Sequence, residues 1–308
     1  MTRRELKYFS VGFTLSLVFV LGMNDFTNVL ENIFYADISK PLENIVFAKD
    51  LNENEKPIIL AKSFASLKIN KYGKEKMVLR ENTQEVLPIA SLTKLMTAII
   101  VLENQDDYSF SKTTVLSQKA ANQDNVPNYG NFEKGDVFTI EELLRLMLIY
   151  SSNDAAWALS EVTSTDNFVQ KMNQKAQDLG LADTSFVNPT GLEPEGLESP
   201  INPEQLNHST SSDLINLTKY ILNNYPLIFQ MSLMQGPYAT HNGVSNLYFP
   251  SNSKVIGGKT GYTDEAGGCM ILVLENSQQT TFIDVLLGAD SSTQRIIETQ
   301  KLINWQIQ

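Results

Sequence analysis

Two side chains that could form a nucleophile and its base stand three residues apart, in Ser91-Leu92-Thr93-Lys94. Apolar residues at positions 92, 95, 96 and 99 recur at the spacing of one helix face, which predicts a buried helix here. Lys94 would then lie one turn after Ser91 on the same face. Because burial disfavours a charged amine, a buried Lys94 would have a lowered pKa and could accept the serine proton.

This motif is weak when it stands alone. A serine at a helix start is commonly an N-cap, whose oxygen accepts from the first free backbone N–H groups. The same S-x-x-K pattern occurs again at Ser251–Lys254, which we interpret as a loop. The hypothesis of a nucleophilic Ser91 therefore depends on reactive residues elsewhere in the chain.

A second motif, Ser151-Ser152-Asn153, lies between two predicted helices. Its structural interpretation is an N-cap for the following helix, which both serine and asparagine suit. In its functional interpretation, the Ser151 hydroxyl relays a proton to a leaving amine. The Asn153 amide would then hold a lysine or a substrate carbonyl.

A third motif, Lys259-Thr260-Gly261, follows two glycines and precedes Tyr262 in a predicted strand. Its structural interpretation is a strand edge interrupted by glycines. Its functional interpretation explains the glycines better, because Gly261 would let a substrate backbone approach the strand closely. Lys259 and Thr260 would then face a carboxylate, by charge and by hydrogen bond.

The elements that must position these motifs are strands near both ends of the folded region and helices between them. The strands are predicted at residues 63–70, 76–79, 254–262, 268–275 and 280–288. Besides the helix after Ser91, helices are predicted at residues 139–149, 154–162, 167–179, 213–223 and 292–307. This order predicts an α+β fold, with an antiparallel sheet flanked by helices and a helical lobe inserted between its strands.

Composition narrows the class of protein. The 308 residues carry a net charge of −11, which argues against nucleic acid or an anionic membrane surface as the main partner. The single cysteine, Cys269, excludes an internal disulfide, and its apolar neighbours predict a buried strand thiol. The two histidines, His208 and His241, are too few for most zinc hydrolase sites and are interpreted as structural.

The N-terminus predicts export from the cytoplasm. Basic residues at positions 3, 4 and 7 precede an apolar stretch, Tyr8–Met23, so residues 1–23 are a signal peptide or a membrane anchor. We favour the anchor, because no convincing cleavage site follows closely. Residues 24–56 are interpreted as a partly helical linker, and residues 57–308 as the folded domain, placed outside the cytoplasm.

The three motifs in the order S-x-x-K, S-x-N, K-T-G resemble those of the low-molecular-weight penicillin-binding proteins, specifically the serine D-alanyl-D-alanine carboxypeptidases. The resemblance runs from about Ile59 to the C-terminus. It also includes residues 87–90, 152–156, 186–192, 208–210, 213–214 and 259–267. One departure is Thr190, where the family often has histidine. The resemblance implies the fold shared by β-lactamases and transpeptidases.

The resemblance also implies a mechanism. Ser91 would attack the carbonyl between the two terminal D-alanines of a peptidoglycan stem peptide, with Lys94 as the base. The backbone N–H groups of Ser91 and Tyr262 would form an oxyanion hole. Ser151 and Lys259 would help deliver a proton to the departing D-alanine. β-Lactam antibiotics would acylate the same serine.

The remaining motif residues receive binding roles from the same resemblance. Asn153 would orient Lys94 or the substrate amide, and Lys259 and Thr260 would bind the terminal carboxylate. Neither a metal nor an organic cofactor is implied. Because the chain stops at Gln308, just after the helix that closes the catalytic domain in the family, membrane attachment is expected only through the N-terminal segment.

Three alternatives remain. Peptidoglycan endopeptidase or transpeptidase activity would use the same acyl-enzyme with a different cleft shape. A β-lactamase would need the glutamate of an E-x-x-L-N motif, and Pro203 occupies the corresponding place here. A non-catalytic wall-binding protein would have lost at least one motif, whereas all three are intact.

Overall fold

The fold is built around an antiparallel sheet whose strands come from both ends of the folded region. The computed structural model describes residues 56–123, 132–194, 196, 202, 205–234 and 244–307. The strands are β1 (Ser63–Ile69), β2 (Glu75–Glu81), β3 (Leu87–Pro88), β4 (Thr113–Val115), β5 (Val137–Thr139), β6 (His208–Ser209), β7 (Ser253–Thr263), β8 (Gly267–Asn276) and β9 (Thr281–Ala289). Five of them form the main sheet in the order β2-β1-β9-β8-β7, in which each strand is antiparallel to its neighbours.

The helices lie mostly between β2 and β7 in the chain. A 3₁₀ turn at Ala90–Leu92 leads into the first of them, and a second 3₁₀ turn covers Val244–Asn246. The described α-helices are α1 (Thr93–Glu103), α2 (Gln118–Ala121), α3 (Ile140–Tyr150), α4 (Asn153–Glu161), α5 (Thr165–Asp178), α6 (Ser211–Asn224), α7 (Leu227–Ser232) and α8 (Ser292–Gln306). The α+β prediction, with a helical lobe inserted between sheet strands, is therefore confirmed.

Two apolar cores pack against opposite faces of the sheet. In β8, the odd-numbered residues from 269 to 273 belong to the larger core, with α1 and the helical lobe. The even-numbered residues from 270 to 274 belong to the smaller core, with α8. Burial on both faces explains why β8 appears in the sequence as an unbroken apolar run. The predicted buried thiol of Cys269 is confirmed, since the side chain lies in the larger core.

Short elements that the sequence did not predict hold the Ser91 segment. β3 pairs with β6, and the Ile89 N–H extends this pairing by donating to the Asn207 carbonyl at 3.1 Å. A strand of two residues has no periodicity to recognise, and Pro88 contributes no N–H donor to the pairing. β7 is the edge strand of the main sheet and runs beside the 3₁₀ turn that contains Ser91.

The N-terminal predictions concern residues outside the described part of the chain. They are the anchor or signal at residues 1–23 and the linker at residues 24–56, of which only Lys56 is described. Within the described residues, no helix is both long and apolar enough to cross a membrane.

Thr139→Ala is expected to lower the free energy of unfolding by about 1 kcal/mol, because it removes the N-cap of α3. Thr139 Oγ1 accepts from the Glu142 N–H, and the Glu142 carboxylate accepts from the Thr139 N–H in return. Urea denaturation followed by circular dichroism measures the change. Thr113→Ala, at an exposed position paired with Thr139, is the control. Equal losses in both variants would contradict a specific capping role.

Candidate active site

The Lys94 amine lies against three oxygen atoms from three different segments. Its Nζ is 2.8 Å from Ser91 Oγ, 2.6 Å from Asn153 Oδ1 and 2.6 Å from the carbonyl oxygen of Thr190. The first segment is the turn before α1, the second is the first turn of α4, and the third is a loop. The predicted association of Ser91, Lys94 and Asn153 is present in the structure.

Ser91 does not cap the helix that follows it. It lies within the 3₁₀ turn, and the residue at the N-cap position of α1 is Leu92, which makes no side-chain capping bond. The structural interpretation of Ser91 is therefore wrong, and its hydroxyl is directed to Lys94. Ala90, the residue before it, has a φ of 45°, a strained value for a residue other than glycine. The backbone thus turns sharply just before Ser91.

Burial determines the protonation chemistry of Lys94. The side chain is 0% exposed, and this desolvation, helped by the nearby Lys259 charge, holds the pKa of Lys94 well below its ordinary value of 10.5. A neutral amine has two hydrogens and one lone pair. The Asn153 and Thr190 oxygens can only accept, so they take the two hydrogens and leave the lone pair for the Ser91 proton. The arrangement suits a general base.

A second lysine contacts the hydroxyl of the second motif. Lys259 Nζ donates to Ser151 Oγ at 2.8 Å and to the Thr260 carbonyl at 2.7 Å. Ser151 ends α3 in the left-handed conformation, with φ at 61°, which turns the chain before α4 begins. Desolvation, with the Arg295 charge as a smaller cause, lowers the pKa of Lys259 to about 7. Near neutral pH this amine can both hold and release a proton.

The N-cap of α4 is a different residue of the same motif. Ser152 Oγ accepts from the Ala155 N–H at 3.1 Å, so the structural interpretation of the motif is confirmed for Ser152 alone. Ser151 and Asn153, which flank it, contact the two lysines instead. One capping residue therefore fixes the start of α4 and leaves its neighbours available to the site.

The structure gives Gly261 a role that the sequence did not reveal. A Cβ atom at this position would come within 3.0 Å of Ser91 N and of Ile89 O. The glycine therefore lets β7 pack directly against the nucleophile turn, whereas the sequence suggested that it admits a substrate backbone. Tyr262, the next residue, is 46% exposed, and Thr260 is 7% exposed at the same strand.

Sequence reasoning missed two contributors to the site. The Thr190 group that contacts Lys94 is a backbone carbonyl, which no residue type marks in a sequence. Arg295 is buried near the start of α8 and donates from Nη1 to the Gly261 carbonyl at 2.7 Å. A cation near a helix N-terminus is unfavourable because it opposes the macrodipole. The position of Arg295 near the start of a predicted helix was therefore a sign in the sequence of a special role.

Other residues with reactive side chains lie elsewhere. Ser251 of the match at Ser251–Lys254 lies in a turn, but Ser253 and Lys254 begin β7, so the loop interpretation is wrong for those two. His208 lies in β6 with its Nδ1 2.9 Å from the Leu206 carbonyl, and His241 is outside the described residues. No group of three or more metal-ligating side chains could hold a metal ion in the described part of the chain.

Comparison with known sequences finds relatives over most of the folded region. The D-alanyl-D-alanine carboxypeptidase DacF of Bacillus subtilis is 30% identical over 243 residues, which cover 75% of this chain and 58% of the relative. The D-alanyl-D-alanine endopeptidase of Haemophilus influenzae is 31% identical over 225 residues, covering 69% of this chain and 71% of the relative. The chain thus spans little more than half the length of the first of these relatives.

Solved structures share the fold. Penicillin-binding protein D2 of Listeria monocytogenes, in its ampicillin-bound form, matches with a TM-score of 0.67 at 28% identity, covering 82% of this chain and 99% of that one. Penicillin-binding protein 6B of Escherichia coli matches with a TM-score of 0.65, also at 28% identity, covering 82% of this chain and 79% of that one. Both are penicillin-binding proteins, as the resemblance of the motifs implied.

A family model also matches most of the chain. Residues 52–291 match the peptidase family S11, described as D-alanyl-D-alanine carboxypeptidase. This range includes all three motifs and every strand of the main sheet. The chain belongs to the D-alanyl-D-alanine carboxypeptidase family.

Proposed function

We propose that this chain is a serine D-Ala-D-Ala carboxypeptidase that removes the terminal D-alanine from peptidoglycan stem peptides. The observation that carries the proposal is the contact of 2.8 Å between Lys94 Nζ and Ser91 Oγ, in a site where two pure acceptors take both amine hydrogens. Membership of the family and the names of the relatives support the same reaction.

In the first step, Ser91 Oγ attacks the carbonyl carbon between the two D-alanines while Lys94 accepts the hydroxyl proton. The backbone N–H groups of Ser91 and Tyr262 hold the oxyanion. The C–N bond then breaks, and the departing amine takes a proton through Ser151 from Lys259. A pKa of about 7 suits Lys259 to this donation at neutral pH.

In the second step, water hydrolyses the ester on Ser91. Before this step, Lys94 releases to solvent the proton it took from Ser91, and Lys259 regains a proton from solvent, so both amines return to their starting states. Lys94 then accepts a proton from the attacking water and returns it to Ser91 Oγ as the C–O bond breaks and the shortened peptide leaves. Asn153 keeps the Lys94 lone pair directed toward the reacting atoms throughout both steps. Charge and hydrogen bonding from Lys259 and Thr260 hold the terminal carboxylate of the substrate. Gly261 and Tyr262 continue the strand along which the peptide lies.

β-Lactam antibiotics are the proposed covalent inhibitors, acylating Ser91 in place of the peptide. The ampicillin-bound and cefotaxime-bound forms of the Listeria monocytogenes relative support this, since it matches over nearly its whole length. The related activity to be distinguished is endopeptidase cleavage of peptide cross-links, because relatives from Haemophilus influenzae and Escherichia coli are named endopeptidases. Both reactions would use the same acyl-enzyme.

The full chain, kept in solution by a mild detergent, is expected to release D-alanine from a peptide ending in D-Ala-D-Ala and to be labelled by a fluorescent penicillin. Ser91→Ala should abolish both, because it removes the attacking oxygen. Ser251→Ala, in another S-x-x-K match, is the matched control and should leave both unchanged.

The outcomes separate the alternatives. Labelling without D-alanine release, together with cleavage of a cross-linked muropeptide dimer, would indicate an endopeptidase. Absence of labelling and of release in the unaltered chain would contradict the catalytic proposal and support a non-catalytic wall-binding protein.

Lys259→Met is expected to move the acidic limb of the pH dependence of acylation to higher pH. The Lys259 cation helps to lower the pKa of Lys94, so without it Lys94 keeps its proton to a higher pH and becomes a base later as pH rises. Stopped-flow measurement of penicillin acylation across pH gives the limb. Lys254→Met changes an exposed lysine of the same strand and should not move it. A shift to lower pH would contradict the assignment.

We also propose that residues 1–23 anchor the chain to the membrane, with residues 24–56 as a linker and residues 57–308 as the catalytic domain outside the cytoplasm. The family acts on peptidoglycan, which lies outside the cytoplasm. Cell fractionation should find the full chain in the membrane fraction and a chain lacking residues 1–23 out of it. N-terminal sequencing that finds these residues removed would identify them as a signal peptide instead.

A further inference from the structure

We propose that Asn207 is a positioning residue that aligns the Thr190 carbonyl with Lys94. The inference rests on the proposed function, since it concerns the base of that reaction. Asn207 lies just before β6, is 3% exposed, and contacts both the nucleophile segment and the loop that contains Thr190. We call residues 186–192 the Thr190 loop.

The Thr190 loop maintains its own shape through Asn188. The Asn188 Oδ1 atom accepts from the Thr190 N–H at 3.1 Å and from the Gly191 N–H at 2.8 Å. Its Nδ2 donates to the Leu192 carbonyl at 2.8 Å. These bonds lie within the loop and set its conformation, but they do not place it relative to Lys94.

Asn207 holds this loop from the outside. Its Oδ1 accepts from the N–H groups of Val187 at 2.7 Å and Asn188 at 3.1 Å. Its Nδ2 donates to the Asn188 carbonyl at 2.9 Å. The side-chain amide thereby mimics a strand partner for the loop backbone, at a buried position where water cannot replace it.

The same residue also holds the nucleophile segment. Asn207 Nδ2 donates to Thr93 Oγ1 at 3.0 Å, one residue before Lys94, and the Asn207 carbonyl accepts from the Ile89 N–H, two residues before Ser91. A single buried residue therefore links both sides of the contact between Lys94 and Thr190. Thr97 adds one further bond between the two sides, from Oγ1 to the Pro189 carbonyl at 2.8 Å.

The consequence concerns the direction of the Lys94 lone pair. If the Thr190 carbonyl moves away, one amine hydrogen loses its acceptor and the lone pair is no longer held toward Ser91. The carbonyl dipole also stabilises the ammonium form, so its retreat should lower the pKa of Lys94 further. Lys259 on β7 is the charged side chain that acts on Lys94, and it is unchanged in the variants below.

The test compares Asn207→Ala with Asn173→Ala in the full chain. Asn173 also holds the Thr190 loop, through both backbone groups of Phe186, but no bond joins it to α1 in the described structure. NMR of ¹⁵N-labelled lysine gives the titration of Lys94, assigned by its loss in Lys94→Met, and fluorescent penicillin gives the acylation rate. We expect Asn207→Ala to lower the Lys94 pKa and to slow acylation about 100-fold, as misplacement of a catalytic group does.

Asn173→Ala should leave the Lys94 titration where it is. Equal behaviour of the two variants would overturn the proposal. If Asn207→Ala does not fold, Thr93→Val removes only the acceptor on α1, and a Lys94 pKa unchanged by it would overturn the proposal as well. A chain that neither releases D-alanine nor reacts with penicillin would refute the proposed function, whereas the NMR titration still decides the role of Asn207.

Discussion

The whole site depends on keeping an amine buried and without charge. An ammonium group that is removed from water loses its hydration, which favours the neutral amine. Three oxygen atoms contact the Lys94 amine, and no carboxylate is among the groups that shift its pKa. A carboxylate would restore the charge and remove the base. The fold must therefore bring neutral acceptors from separate segments to one atom, and much of the described architecture around Ser91 serves this placement.

Two buried lysines in one cleft need different partners to do different chemistry. Lys94 contacts three acceptors and is placed to receive a proton, whereas Lys259 contacts Ser151 and lies near the charge of Arg295. The Lys259 cation disfavours a charge on Lys94, so the site does not easily hold two positive charges. The protonation state of Lys94 therefore depends on that of Lys259.

The sequence was sufficient to predict the strands and helices whose apolar residues recur at a regular spacing, and to identify the reactive side chains. Alternation and helical spacing located the five strands of the main sheet and the long helices to within a few residues. It was insufficient where the determining group is a backbone atom, as with the Thr190 carbonyl, or where pairing is very short, as with β3 and β6. Gly261 was recognised as a close approach, but only three-dimensional packing identifies the turn at Ser91 as its neighbour.

The pairing of β1 with β9 determines how early during synthesis the sheet can fold. Residues 63–69 are hydrogen-bonded to residues 281–287, so the centre of the sheet can close only after more than 200 further residues have been synthesised. Such non-local pairing carries a large loop-closure entropy and slows folding. β7, which packs against the Ser91 turn, joins the sheet through the same late-made strands. The Ser91 turn therefore contacts a β7 that becomes joined to β1 only after residues 281–287 have been synthesised.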